Sequence, residues 1–213
     1  MVGADLLRYK KEQKFVCWDK ETCHLNLCVD NYPWQVAWII ATQDKIYERH
    51  NYFINWGNKL KVSEGAARAT GFDQRVVNKY GKDPKEVYLK YRETIGNKNY
   101  LLVGHNLLNF DVYIEKLWCK ELGLKHSWDY LDRLIDTNAI AKAIHKNIKI
   151  DRENFLPWQY KLLGHVEKGL KTNIGFLTKK YNLEVDETRL HKADYDVEKN
   201  FEIWKKQMWE IEI

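Results

Sequence analysis

The order of its segments predicts a mixed α/β fold: a five-stranded sheet, three antiparallel strands followed by parallel ones, flanked by helices. Two patterns carry that expectation. As far as Asn55 the chain holds three short apolar or alternating runs separated by turn residues, as an antiparallel meander requires. Beyond Leu60 strand-like runs alternate with helical ones, an arrangement that packs helices against a sheet.

The strands of the meander are expected at 14–20, 34–42 and 45–55, with the turn TQDK between the second and third. Ser63 before EGAARAT and Gly71 after it frame a short helix over 63–70. Asp83 and Pro84 open a second helix over 83–96, with Val87, Leu89, Tyr91 and Ile95 as its apolar positions and Gly96 as its stop. YLLVGHN, 100–106, reads as a buried strand, and 109–123 as the helix after it. Residues 130–144 read as a short strand running into a helix. Two shorter helical segments follow, NFLPWQYKLLG and LKTNIGFLTKKYNL. The chain closes on a long helix whose Ala193, Val197, Phe201, Trp204 and Met208 recur at helical spacing.

Composition sets the outer bounds. A chain of 213 residues, 45% hydrophobic and 14% aromatic, suffices for one domain over 1–213. The net charge of +5 permits an anionic partner without demanding one. Cys17, Cys23, Cys28 and Cys119 do not fall into paired zinc-knuckle spacing. No signal-peptide core opens the chain and no apolar run reaches the roughly 20 residues of a membrane span. The expectation is a soluble, reduced, cytoplasmic protein with no membrane partner.

The first strand poses a chemical problem. FVCWDKETCHL begins as a core strand and then carries Asp19 and Glu21 two residues apart, on one face. Buried charge needs a partner, and a divalent cation is one; a solvated strand end is the plainer alternative. Asp111 follows the strand YLLVGHN, where it is either part of a site at the sheet edge or a first-turn acid favoured by the helix dipole. Asp196 lies in the first turn of the last helix. His191, five positions before it, is a group able to move protons near neutral pH.

Taken in order, WDKET, the PWQVA strand, ATGF, VGHNLLNFD and HKADYD resemble the DEDDh family of 3′-to-5′ exonucleases, DnaQ-like proteins with an RNase H-like sheet. The resemblance runs over about 14–207. Lys192 stands where the tyrosine branch of that family carries Tyr. The resemblance implies that Asp19, Glu21, Asp111 and Asp196 hold two divalent cations, Mg²⁺ with Mn²⁺ able to substitute, and that His191 is the general base. It implies hydrolysis from the 3′ end of single-stranded DNA, releasing nucleoside 5′-monophosphates. Thr22, Cys23, His24 and Leu25 would receive the terminal nucleotide, with Leu25 as a wedge against the bases or as core packing. Asn106 and Phe110 are further candidate contacts; turn stabilisation and core packing are their alternatives.

Two departures from the family pattern stand out. Cys23-His24 replaces the usual Thr-Gly, and histidine adopts positive φ less readily than glycine. Lys20 sits where an apolar residue is commoner, with its stem expected to snorkel along the sheet. Residues 59–98 carry ten Lys and Arg against five acids, and 142–180 nine against three. The second run is the better candidate for a nucleic-acid groove; solvated helix faces are the alternative for both. Competing functions are an exoribonuclease or oligoribonuclease, and a polymerase-accessory binding module with little nuclease activity. A polymerase or other protein partner is possible but not indicated, with about seventeen residues after Asp196. A cellular or viral host fits equally well.

Overall fold

The computed structural model describes residues 10–186, 189 and 192–211. Five strands form one sheet in the order β3-β2-β1-β4-β5. They are β1 (Lys14–Thr22), β2 (Pro33–Ala41), β3 (Ile46–Phe53), β4 (Tyr100–Gly104) and β5 (Leu134–Asp136). The β1/β2 and β2/β3 pairs are antiparallel, and β1/β4 and β4/β5 are parallel, as expected from the sequence. The helices are α1 (Glu64–Thr70), α2 (Gln74–Tyr80), α3 (Pro84–Gly96), α4 (Asp111–Glu121), α5 (Thr137–Lys146), α6 (Phe155–Leu163), α7 (Ile174–Lys180) and α8 (Ala193–Glu210).

Side-chain alternation divides β1 between two layers. Phe15 faces α8 and meets Trp204 edge-on at 6.2 Å. Trp18, on the other face, meets Tyr91 of α3 at 5.4 Å, and Tyr91 stacks on Trp118 of α4 at 6.0 Å. Every residue of β2 is buried, whereas β3 at the edge carries Glu48, Arg49 and His50, charges that discourage strand addition. The stripe of Ala193, Val197, Phe201, Trp204 and Met208 is buried, as its spacing predicts.

Several boundaries moved, each for a local reason. Helix α2, not expected from the sequence, starts where the Asp73 carboxylate accepts from Arg75 N–H. Leu89 of α3 is exposed; the buried face is Val87, Tyr88, Tyr91 and Ile95. Gly96 lies inside α3, and Asn97 takes the C-cap. Strand β4 stops at Gly104, where a Cβ would run into the Leu107 side chain. A 3₁₀ turn, Leu107–Asn109, then delays α4 until Asp111.

Asp136 organises that corner. Its buried carboxylate accepts from the N–H groups of Asn106 (2.9 Å), Leu108 (3.0 Å), Asn138 (3.0 Å) and Ala139 (3.4 Å). One side chain thus caps α5 and ties down the loop that delivers Asp111. Burial still lifts its carboxyl to about 6, because loss of hydration outweighs the four donors.

Candidate active site

Strand β1 outruns its parallel neighbour. Pairing with β4 ends at Cys17 opposite Val103, while pairing with β2 continues through Asp19 and Glu21. The two acids therefore project over the end of β4, on the face covered by α8. Asp196, in the first turn of α8, meets them there: carboxylate oxygens of Asp19, Glu21 and Asp196 lie within 4.8 Å of one another. Asp111 stands outside that trio but close enough for its charge to act on Asp19. His191 lies outside the described residues.

Burial makes the arrangement costly. Glu21, Asp111 and Asp196 are under a tenth exposed, and Asp19 keeps some access at the mouth. Loss of hydration, then repulsion from Asp111 and Asp196, holds the Asp19 carboxyl well above its usual range. Burial, then Asp19, does the same to Glu21. Burial lifts Asp111 to about 7 against the pull of Lys20. Asp111 Oδ1 is buried without a hydrogen-bond partner. An uncompensated buried charge costs several kcal/mol, so such a cluster is satisfied by protons or by cations. Crowded oxygen ligands with too few internal donors fit a hard divalent cation.

Lys20 does not snorkel. Its ammonium turns inward, 3.7 Å from the centre of the Trp18 ring and 4.7 Å from that of Tyr91, and donates to Tyr91 Oη at 3.3 Å. It lies 3.5 Å from the Asp111 carbonyl oxygen and 4.0 Å from Oδ1. Burial brings its pKa down to about 8, opposed by Asp111, Glu115 and Asp19. Behind it, buried Glu115 accepts from Tyr88 Oη (2.9 Å) and Tyr130 Oη (2.9 Å) and pairs with His126 Nε2 at 2.6 Å. Lys20→Met keeps the stem and deletes the charge. It is expected to destabilise the metal-free protein by about 3 kcal/mol near neutral pH, read from the urea midpoint, since it strips Asp111 of its cation.

The loop after Glu21 is shaped by side chains. Thr22 Oγ1 donates to the His24 carbonyl at 2.7 Å. Cys23 is buried; its N–H donates to Tyr32 O (3.0 Å) and its carbonyl accepts from Ser63 N–H (2.8 Å). His24 N–H donates to Asn31 Oδ1 at 2.9 Å. The N–H groups of Cys23 and His24 are thus engaged within the protein, where the resemblance implied contacts to a nucleotide. His24 avoids positive φ: among the described non-glycine residues only Asn106, Asn147 and Asn182 adopt it. Leu25 is 65% exposed, which rules out core packing for it. Asn106 takes a left-handed turn, and its Oδ1 accepts from Asn109 and Asn138 at 3.2 Å each, contacts that stabilise the turn. Phe110 is half-buried just before α4.

Much of the basic surface is used internally. Lys142 donates to the carbonyls of Leu163 and His165, Lys146 pairs with Glu167 and Lys180 with Glu210. In the earlier run Arg92 meets Asp129 and Glu115, and Arg75 meets Asp73. Among the described residues no helix is long and apolar enough to cross a membrane.

Residues 16–204 match the family model described as Exonuclease, RNase_T. The chain belongs to this exonuclease family. A PolC-type DNA polymerase III of Ureaplasma parvum is 26% identical over 182 residues, 85% of this chain and 10% of that protein. The zinc-bound complex of E. coli ExoI with single-stranded DNA has a TM-score of 0.72 at 16% identity, covering 91% of this chain and 40% of that one. The cell-death related nuclease CRN-4 has a TM-score of 0.65 at 18% identity, covering 93% and 64%. At these identities the solved structures establish a shared fold. This exonuclease-family chain spans a tenth of the polymerase and 40% of ExoI. Lys20, Glu115 and Asp136 were not expected as parts of its site. The one sequence signal for them is D-T-N at 136–138, a capping pattern before an apolar helix.

Proposed function

We propose that this chain is a metal-dependent 3′-to-5′ exonuclease of single-stranded DNA, a single catalytic domain over 1–213. The observation that carries the reading is the convergence of Asp19, Glu21 and Asp196 within 4.8 Å, with Asp111 beside them. Those four carboxylates would hold two divalent cations, Mg²⁺ by preference and Mn²⁺ in its place. Bound there, the cations supply Lewis-acid stabilisation of the phosphate charge and make water acidic enough to attack near neutral pH. His191, on the family resemblance, takes the proton of the attacking water. The bond broken joins phosphorus to the 3′ oxygen of the shortened strand, so a nucleoside 5′-monophosphate leaves. Exposed Leu25 is suited to wedge against the terminal bases, and half-buried Phe110 to lie beside one. Thr22, Cys23 and His24 shape the loop beneath.

The likeness of ExoI, solved with single-stranded DNA, supports DNA over RNA as substrate. The partial match to a PolC-type polymerase favours a second reading, in which the activity serves a polymerase as a proofreader.

The test is digestion of 5′-labelled single-stranded DNA, duplex DNA and RNA with Mg²⁺, Mn²⁺ or chelator. A ladder shortening from the 3′ end of single-stranded DNA, abolished by chelator, is expected. Faster shortening of RNA would transfer the proposal to an exoribonuclease. Binding of all three without cleavage would overturn it.

A further inference from the structure

A second cluster of metal-ligating side chains lies in the loop after β1, apart from the carboxylate site. His24, Cys28 and Asp30 place one ligand atom each within 4.8 Å of one another, and His24 Nε2 is 3.9 Å from Asp30 Oδ1. The imidazole nitrogen is shielded from solvent and has no hydrogen-bond partner. A buried ring nitrogen left unpaired forfeits hydration and gains nothing in exchange. The Cys28 thiol makes a weak contact, 3.8 Å to the Asn26 carbonyl; desolvation, then the hydrogen bonding and charge of Asp30, disfavour its thiolate until a cation intervenes.

The backbone holds these groups in place. Asn31, fully buried, accepts from His24 N–H at 2.9 Å and donates from its amide to the carbonyls of His24 (3.1 Å) and Asn26 (2.8 Å). Its own N–H donates to Cys28 O at 3.1 Å. The loop is thus closed around Asn31, with the three ligand side chains gathered on one side. Leu25, Leu27 and Val29, the apolar residues between them, are exposed.

We propose that His24, Cys28 and Asp30 form a binding site for a thiophilic divalent cation, zinc above all, that pins the loop carrying Leu25. A thiolate and an imidazole select zinc over magnesium, which prefers oxygen ligands alone. Zinc bond lengths of about 2.0–2.3 Å put tetrahedral ligand atoms roughly 3.3–3.7 Å apart. The 3.9 Å nitrogen-to-oxygen separation needs only a small contraction to reach that range. Three protein ligands leave the fourth position to water. Binding releases the thiol proton to solvent as the sulfur–metal bond forms.

Cobalt(II) separates this site from the carboxylates, because only a thiolate ligand gives a sulfur-to-cobalt charge-transfer band. The reduced, metal-stripped full chain is titrated with Co²⁺ alone, alongside Cys28→Ser and His24→Ala. Both positions are only partly buried, and circular dichroism is recorded on each variant to check its fold before titration. The expected result is a charge-transfer band saturating at one equivalent, bleached by Zn²⁺, absent in Cys28→Ser and at least tenfold weaker in apparent affinity in His24→Ala. No such band at saturating cobalt would overturn the proposal. A band unchanged in either folded variant would overturn it as well.

Discussion

Asp19→Ala is expected to lower the rate of 3′-terminal hydrolysis by roughly three orders of magnitude while making the metal-free protein more stable. The first effect follows from the cations that the carboxylates would hold. Metal-assisted stabilisation of phosphoryl charge is worth several kcal/mol, and about 1.4 kcal/mol is tenfold in rate. The second follows from the crowding. Asp19, Glu21 and Asp196 bring their oxygens within 4.8 Å; Asp111 and Asp196 raise the proton affinity of Asp19, and Asp19 raises that of Glu21. Deleting one carboxylate relieves repulsion and desolvation at once, by about 1–2 kcal/mol. Single-turnover digestion of a labelled oligonucleotide and a urea melt in chelator read the two effects separately. A variant that is inactive and less stable would show a structural residue rather than a ligand. A variant with undiminished turnover would remove Asp19 from the mechanism.

Metal-free protein is expected to lose stability as pH rises from about 4 to about 7, and divalent metal to restore it. Carboxyl groups in the unfolded chain titrate near 3.8 to 4.5, whereas Asp111 is raised to about 7 and Asp136 to about 6, with Asp19 and Glu21 shifted the same way. Between those limits the folded state holds protons that the unfolded state has released. Unfolding therefore releases protons, and the slope of stability against pH is negative. A shift of about three units at Asp111 alone corresponds to roughly 4 kcal/mol, an upper bound because neighbouring groups share protons. Lys20, lowered to about 8, changes its charge above this window and acts with the opposite sign there. A cation binds the ionised carboxylates of the folded state, so the slope should flatten in excess Mg²⁺. Urea midpoints at several pH values, with chelator and with Mg²⁺, give the answer. A chelated midpoint that climbs with pH, or that ignores Mg²⁺ at pH 8, would show that the carboxylates are satisfied some other way.

Local patterns account for what the sequence revealed. Period-two alternation places Asp19 and Glu21 on one face of β1, and the apolar stripe of α8 sets which side of that helix meets the sheet. Caps at Ser63 and Asp83 mark their helices correctly because the donors they satisfy are two or three residues away. Helix α2 was missed because seven residues around one buried valine carry too little periodicity.

The amino-acid sequence by itself determined the mixed sheet, three antiparallel strands followed by parallel ones, and the family, and it named the candidate acids, since each rests on spacing along the chain. Only the tertiary structure decided which of those acids share a cleft, that Lys20 is an internal counter-charge, that Leu25 faces solvent and that His24 meets Cys28 and Asp30. The physical reason is desolvation. A carboxylate, an ammonium or an imidazole takes its character from what excludes water around it. At Asp19 burial acts first, and the repulsion of Asp111 and Asp196, contributed by helices far away in sequence, adds to it.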